Sequence, residues 1–318
     1  MKEETKDYLL SGSLLLAGVI WGLGFIAVEY ALIAGVMPSV INAVRFSVAA
    51  VFVCLVFWKQ IRTLTLSEFK KGVIPGLFMM GGFLLQGTSQ SFTTPSNVAF
   101  ITALYIVFVP IFSKIVLKHK VGLQRILAAV ITFAGIGILS LGSIETGTFG
   151  IGEILAFCGA VVFAMHFISL ERPSREVSPV KLTFIQMFVA AIALWIYAIV
   201  FDFESLQNIS EINVPMATIA ILYLGTFSSF GAYLIQTNAQ KHVSASKTAI
   251  LMSTECPLGS TFSVMFGFDT FTFYLLIGGI ITMVGVLMTE VKIYWFDKAE
   301  RKLRQKLNMK EADGLTEE

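Results

Sequence analysis

Apolar stretches of about 20 residues recur along the whole chain, separated by short polar joints. Ten can be drawn, at residues 8–28, 38–58, 72–92, 97–117, 122–141, 150–170, 180–200, 214–236, 245–268 and 271–291. A helix of about 20 residues crosses the hydrocarbon core of a bilayer. In lipid the backbone must satisfy its own hydrogen bonds, which makes helix the expected form. The joints carry turn formers. In Thr93-Thr94-Pro95-Ser96, Ser96 is expected to cap the fourth helix. The pattern predicts an all-α membrane protein of ten transmembrane helices with no room for a second folded domain.

Charge fixes an orientation. Of the 23 Lys and Arg residues, 22 fall at the chain ends or in joints on one side of a ten-span layout. The other side has only acids, among them Glu145, Asp202, Glu204, Glu211 and Asp269. The positive-inside rule then places both termini in the cytoplasm, as expected for a multi-pass protein of a plasma (inner) membrane. Residues 292–318 form a basic tail. It reads either as a solvated, topology-setting segment or as an interfacial helix drawn to anionic lipid. The first apolar run has no cleavage-like site and reads as a retained helix.

Composition narrows the class. The chain has 318 residues, 56% hydrophobic and 14% charged, against about a quarter charged in soluble domains. A soluble enzyme and a nucleic-acid binder are excluded on this basis. Cys54, Cys158 and Cys256 lie unpaired in apolar runs, and His119, His166 and His242 are scattered, so neither a metal site nor a cofactor is expected. No Walker loop, HExxH or GxSxG sequence occurs, which argues against an ATP-driven pump or an enzyme.

The two halves resemble each other. Gly81-Gly-Phe-Leu-Leu-Gln-Gly-Thr-Ser-Gln90 aligns with Gly231-Ala-Tyr-Leu-Ile-Gln-Thr-Asn-Ala-Gln240 at an offset of 150. The same offset pairs Ser96 with Ser246 and Ile131, Thr132 and Gly135 with Ile281, Thr282 and Gly285. A slightly smaller offset pairs Phe25-Ile26 and Glu29 with Phe167-Ile168 and Glu171. The repeats are residues 8–141 and 150–291. Five helices in each is an odd number, so related helices are expected to run in opposite directions, an inverted repeat of the kind secondary transporters use.

The ten helices, the paired repeat, Arg45-Phe46 with Ala49-Ala50, and the helix-4 text from Ser96 to Pro110 resemble the drug/metabolite transporter superfamily, EamA-type. The resemblance covers nearly the whole chain. It implies a carrier of small organic metabolites, such as amino acids or drug-like compounds, commonly an exporter, with a central cavity lined by helices that include 3, 4, 8 and 9. The chain departs from the family in having Phe268-Asp269 where the end of helix 9 often has Gly-Glu. An anion, sugar-phosphate or nucleotide-sugar carrier of the same fold and an uncoupled channel are the alternatives. The partners expected are a small-molecule substrate and the lipid bilayer, with the chain a monomer or homodimer.

Polar residues at membrane depth are the candidate chemistry. Glu255, mid-helix in Met252-Ser-Thr-Glu-Cys-Pro257, costs about 2.5–3.5 kcal/mol there if ionised, so it is expected to face a cavity or carry a proton. Pro257 lacks an N–H and is expected to leave the Ser253 carbonyl free nearby. Proton exchange, Na⁺ coordination, amine recognition and a merely structural protonated acid all fit Glu255. The offset of 150 places Tyr105 as its pseudosymmetric partner, either a ligand wall or packing. Gln86 and Gln236 are mates suited to hydrogen-bonding a polar substrate, and Tyr233 and Asn97 complete the expected substrate-binding set. His166 is a candidate proton relay to Glu255 or a simple interhelical bond. Arg45 is expected to form a structural ion pair with Glu29, ahead of anion recognition. The Asn208-Ile-Ser210 sequon falls in an outer loop.

Overall fold

The structure, a computed structural model, describes residues 3–118, 121–141, 150–203 and 212–288. The basic tail, the sequon and the loop acids Glu145, Glu204 and Glu211 lie outside the described residues. Among the described residues the chain is helical throughout, with no strand. The helices are α1 (Glu3–Ile33), α2 (Pro38–Val56), α3 (Leu66–Gln90), α4 (Pro95–Val116), α5 (Leu123–Ser140), α6 (Ile151–Glu176), α7 (Pro179–Phe201), α8 (Val214–Gln240), α9 (Ala245–Met252 continued by Glu255–Met265) and α10 (Phe273–Met288). A single turn, Trp58–Ile61, follows α2. α1 (from Tyr8), α2, α4, α6, α7 and α8 are individually long and apolar enough to cross a membrane, and α5 and α10 hold shorter apolar helices. α3 and α9 carry much of the polar text, including Gln86, Gln90, Ser253, Thr254 and Glu255.

Local chemistry sets the starts. Proline occupies the first turn of α2, α4, α7 and α8, where its missing N–H costs nothing. α3 begins with a capping box: Thr65 accepts from the Glu68 N–H while the Glu68 carboxylate accepts from the Thr65 N–H. The Glu68 carboxylate also accepts from Lys181 at 2.9 Å, tying the start of α3 to α7. α4 is capped by Thr94, not by Ser96: Pro95 takes the first helical position, so Thr94 is the residue whose hydroxyl reaches the Asn97 N–H. Ser96 lies inside the helix and donates to Asp269.

α4 and α9 are each interrupted. The breaks fall at Ala103–Leu104 and Ser253–Thr254, mates at the offset of 150. At each break an i→i+3 bond replaces the regular ladder: Ile106 donates to the Ala103 carbonyl at 3.0 Å and Cys256 to the Ser253 carbonyl at 3.1 Å. The Ser253 carbonyl is therefore not free, because the tightened turn supplies a donor in place of the one Pro257 lacks. α8 carries a different irregularity, a π-helical stretch at Leu224–Gly231.

Packing between the halves is reciprocal. α3 packs on α6 as α8 packs on α1, and the mate pairs α2 with α7 and α5 with α10 pack on each other. The α5–α10 contact shows the sense. A Cβ added at Gly135 would lie 2.5 Å from the Thr282 backbone nitrogen, and one at Gly285 would lie 2.7 Å from that of Thr132. Position 135 meets 282 and position 132 meets 285, so the two helices run antiparallel about a local two-fold axis lying across them. Equivalent ties recur inside the repeats: Gln90 donates to the Phe25 carbonyl at 2.9 Å and Gln240 to the Phe167 carbonyl at 3.0 Å.

Because both glycines admit the partner backbone, Gly135→Val and Gly285→Val are each expected to destabilise the protein by about 1–3 kcal/mol through overpacking. Thermal melts in detergent check this, and an unchanged melting temperature for either variant would contradict the close approach.

Candidate functional site

A cavity of about 40 Å³ lies where the two halves meet. That holds roughly three waters and is well below the roughly 300 Å³ of a small-ligand pocket, so this conformation is constricted around its centre. Its walls are built from mates. Trp21 and Phe163, Gly24 and His166, and Phe25 and Phe167 occupy corresponding positions on α1 and α6; Phe83 and Tyr233 do so on α3 and α8; Tyr105 and Glu255 do so on α4 and α9. The frame is symmetric. Its chemistry is not, since glycine corresponds to histidine and tyrosine to glutamate.

Glu255 and Tyr105 each begin the helical segment after a break. The Tyr105 hydroxyl donates to the Glu255 carboxyl group (Oε1) at 2.9 Å, and both side chains are buried. A buried carboxyl left without a partner would incur several kcal/mol of desolvation, and the phenol supplies that partner while the other oxygen stays available to the cavity. Tyr105 also packs against Phe167, ring centroids 5.1 Å apart. The phenol thus bonds the acid and forms part of the aromatic wall.

His166 lines the cavity, with its Nε2 at 2.8 Å from Gln186 Oε1. Gln186 in turn donates to the Leu182 carbonyl at 3.2 Å and Thr237 at 3.4 Å. His166 is thus held by an interhelical network; no bond joins it to Glu255 among the described residues.

Gln86 lines the cavity and donates to Thr102 at 3.4 Å, whereas its mate Gln236 does not line it. Gln236 is fully buried and donates to Gln240 at 3.3 Å. Tyr233 does line the cavity. Asn97 does not: its amide donates to Thr93 at 3.0 Å, near the α4 cap.

The Glu29–Arg45 pair expected from the sequence is not formed. Glu29 accepts from Gln90 at 2.9 Å. Arg45 is buried, donates from Nε to Ser229 at 2.8 Å and from Nη2 to Ser228 at 2.9 Å, and lies over the Phe83 ring with its guanidinium carbon 4.5 Å from the centroid. The two serines sit on the π-helical turn of α8, whose Ser228 carbonyl also accepts from the Trp21 indole at 2.9 Å. Sequence reasoning missed them because two small hydroxyls in an apolar run give no sign that the helix widens to present them. Other acids are engaged elsewhere: Glu153 by Thr93, Glu171 by Ala245 and Arg175, Glu176 by Lys71, Asp202 by Ser39, and Asp269 by Ser96 and Ser263. Among the described residues no three His, Cys, Asp or Glu side chains cluster as metal ligands.

Two related helical halves with a cavity between them are the frame of a membrane transporter. The chain belongs to the EamA-like transporter family, which matches residues 11–141 and 150–291. It is 28% identical over 291 residues to an uncharacterized transporter of Archaeoglobus fulgidus, covering 92% of this chain and 89% of that protein. It is 27% identical over 299 residues to the uncharacterized transporter YyaM of Bacillus subtilis, covering 90% and 94%. One solved crystal structure superposes with a TM-score of 0.71 over 94% of this chain and 99% of its own, at 17% identity, and shares the fold.

Gln186→Leu removes the group that faces His166 Nε2 and is expected to cost about 1–3 kcal/mol, the penalty of an unpaired buried polar atom. Denaturant or thermal unfolding in detergent measures it, and a neutral result would show that His166 has another partner.

Proposed function

We propose that the protein is a secondary transporter that exports small organic metabolites by alternating access, with Glu255 as its coupling or substrate-binding acid. The observation carrying this reading is the Tyr105–Glu255 hydrogen bond, made at the matched breaks of α4 and α9 inside the cavity. Interrupted helices are the usual means of placing polar groups and backbone at membrane depth in transporters built from repeats. The antiparallel α5–α10 contact supports two inverted five-helix repeats, residues 8–141 and 150–291, with the axis in the membrane plane. The constricted cavity supports a cycle in which the halves separate to admit substrate from one side at a time.

Gln86 and Tyr233 line the pocket beside Glu255, and His166 supplies a further polar wall. Proton exchange at Glu255 is the coupling step: the acid releases its proton to one side and takes one up from the other, with the Tyr105 hydroxyl bonded to it in both states. The distribution of Lys and Arg supports a plasma-membrane protein with both termini in the cytoplasm.

Reconstituted into proteoliposomes, the protein is expected to show saturable flux of its metabolite that rises with an imposed pH gradient, and exchange of labelled for unlabelled substrate. Glu255→Gln is expected to abolish the gradient dependence while leaving exchange within about ten-fold of wild type, since an amide hydrogen-bonds but cannot cycle a proton. Gradient-independent flux in the wild type removes the coupling role, and conductance without saturation or exchange identifies a channel.

A further inference from the structure

Arg45 is a cation deep in the bundle whose charge no described acid balances. Burying an unpaired arginine is costly. Here the group is held in place rather than neutralised: two neutral hydroxyls fix Nε and Nη2, and the Phe83 ring supplies a cation–π face. Nη1 has no hydrogen-bond partner among the described residues, and Arg45 lies in the wall of the same cavity that holds Glu255. The guanidinium is therefore oriented and desolvated, with part of its donor fork unused. Such a group binds a carboxylate more strongly than any neutral acceptor, through charge-assisted hydrogen bonds.

The rest of the wall constrains what is attached to that carboxylate. Trp21, Phe25, Phe163 and Phe167 present ring surface, suited to an apolar, planar body.

We propose that Arg45 is the anion-receiving residue of the cavity and that the substrates are compact monocarboxylates with an apolar or aromatic body. This rests on the transporter reading above and specifies its substrate class. The carboxylate docks on the free edge of the Arg45 fork as the cavity widens, and its body lies among the rings. A substrate bearing several phosphate charges does not fit, because the described cavity wall offers one cation.

The test uses purified full-length protein in detergent and matched probes that share shape and differ in charge: benzoate against benzamide, and phenylacetate against phenylacetamide. Thermal stabilisation is titrated with each. At least one acid is expected to stabilise the wild type at a concentration ten-fold or more below that of its amide. Arg45→Gln is expected to bring the pair within two-fold, and Arg45→Lys to keep part of the preference by supplying charge without the fork. Stabilisation by neither acid, an amide as effective as its acid, or a preference that survives Arg45→Gln overturns the proposal. If Arg45→Gln does not fold, the wild-type pair and Arg45→Lys still decide. Gradient-independent flux would remove the role of Glu255 and leave the acid-over-amide preference intact. Absence of that preference alongside gradient-driven flux would remove only the role of Arg45.

Discussion

A carboxyl group buried among ten helices needs a hydrogen-bond partner at membrane depth, and the Tyr105 hydroxyl is that partner for Glu255. The bond depends on both α4 and α9 stopping and restarting at the same level, so that each side chain leaves the first turn of a new segment. Uninterrupted helices would direct these two side chains differently. The i→i+3 bonds at Ala103 and Ser253 satisfy the backbone through the interruption, which makes such a break tolerable in lipid.

Around that bond the two halves supply the same positions and different chemistry. Ring faces mate with ring faces at Trp21 and Phe163, Phe25 and Phe167, and Phe83 and Tyr233. Gly24 corresponds to His166, and at the offset of 141 that pairs Pro38 with Pro179 and Val48-Ala-Ala50 with Val189-Ala-Ala191, Arg45 corresponds to Gln186, which holds His166. A symmetric scaffold can exchange two similar arrangements at small energetic difference, as alternating access requires. On the proposed reading, the asymmetric groups decide what is bound. Small residues let the backbones meet at Gly135 and Gly285 against Thr282 and Thr132.

Much of this was legible in the sequence. Hydropathy marked the ten helices, since lipid leaves helix as the backbone solution for every span. The offset of 150 placed Tyr105 beside Glu255, because mates near a two-fold axis are brought together by it. What failed was rotation about helix axes. Glu29 and Arg45 read as a pair in the sequence, but Glu29 turns to Gln90 and Arg45 to α8. Gln236 shares its letter with Gln86, yet turns to Gln240 instead of the cavity. Ser96 looked like a cap until Pro95 claimed the first helical position. Each miss came from a local backbone choice worth little energy in the chain and settled by packing.

The most direct measurement is a double-mutant cycle on transport through Tyr105→Phe, Glu255→Gln and the combined variant, assayed in proteoliposomes under a pH gradient. If the phenol and the carboxyl act as one unit, the double variant loses no more than the worse single one. Losses that multiply would show two independent residues and contradict a shared site at the paired helix breaks.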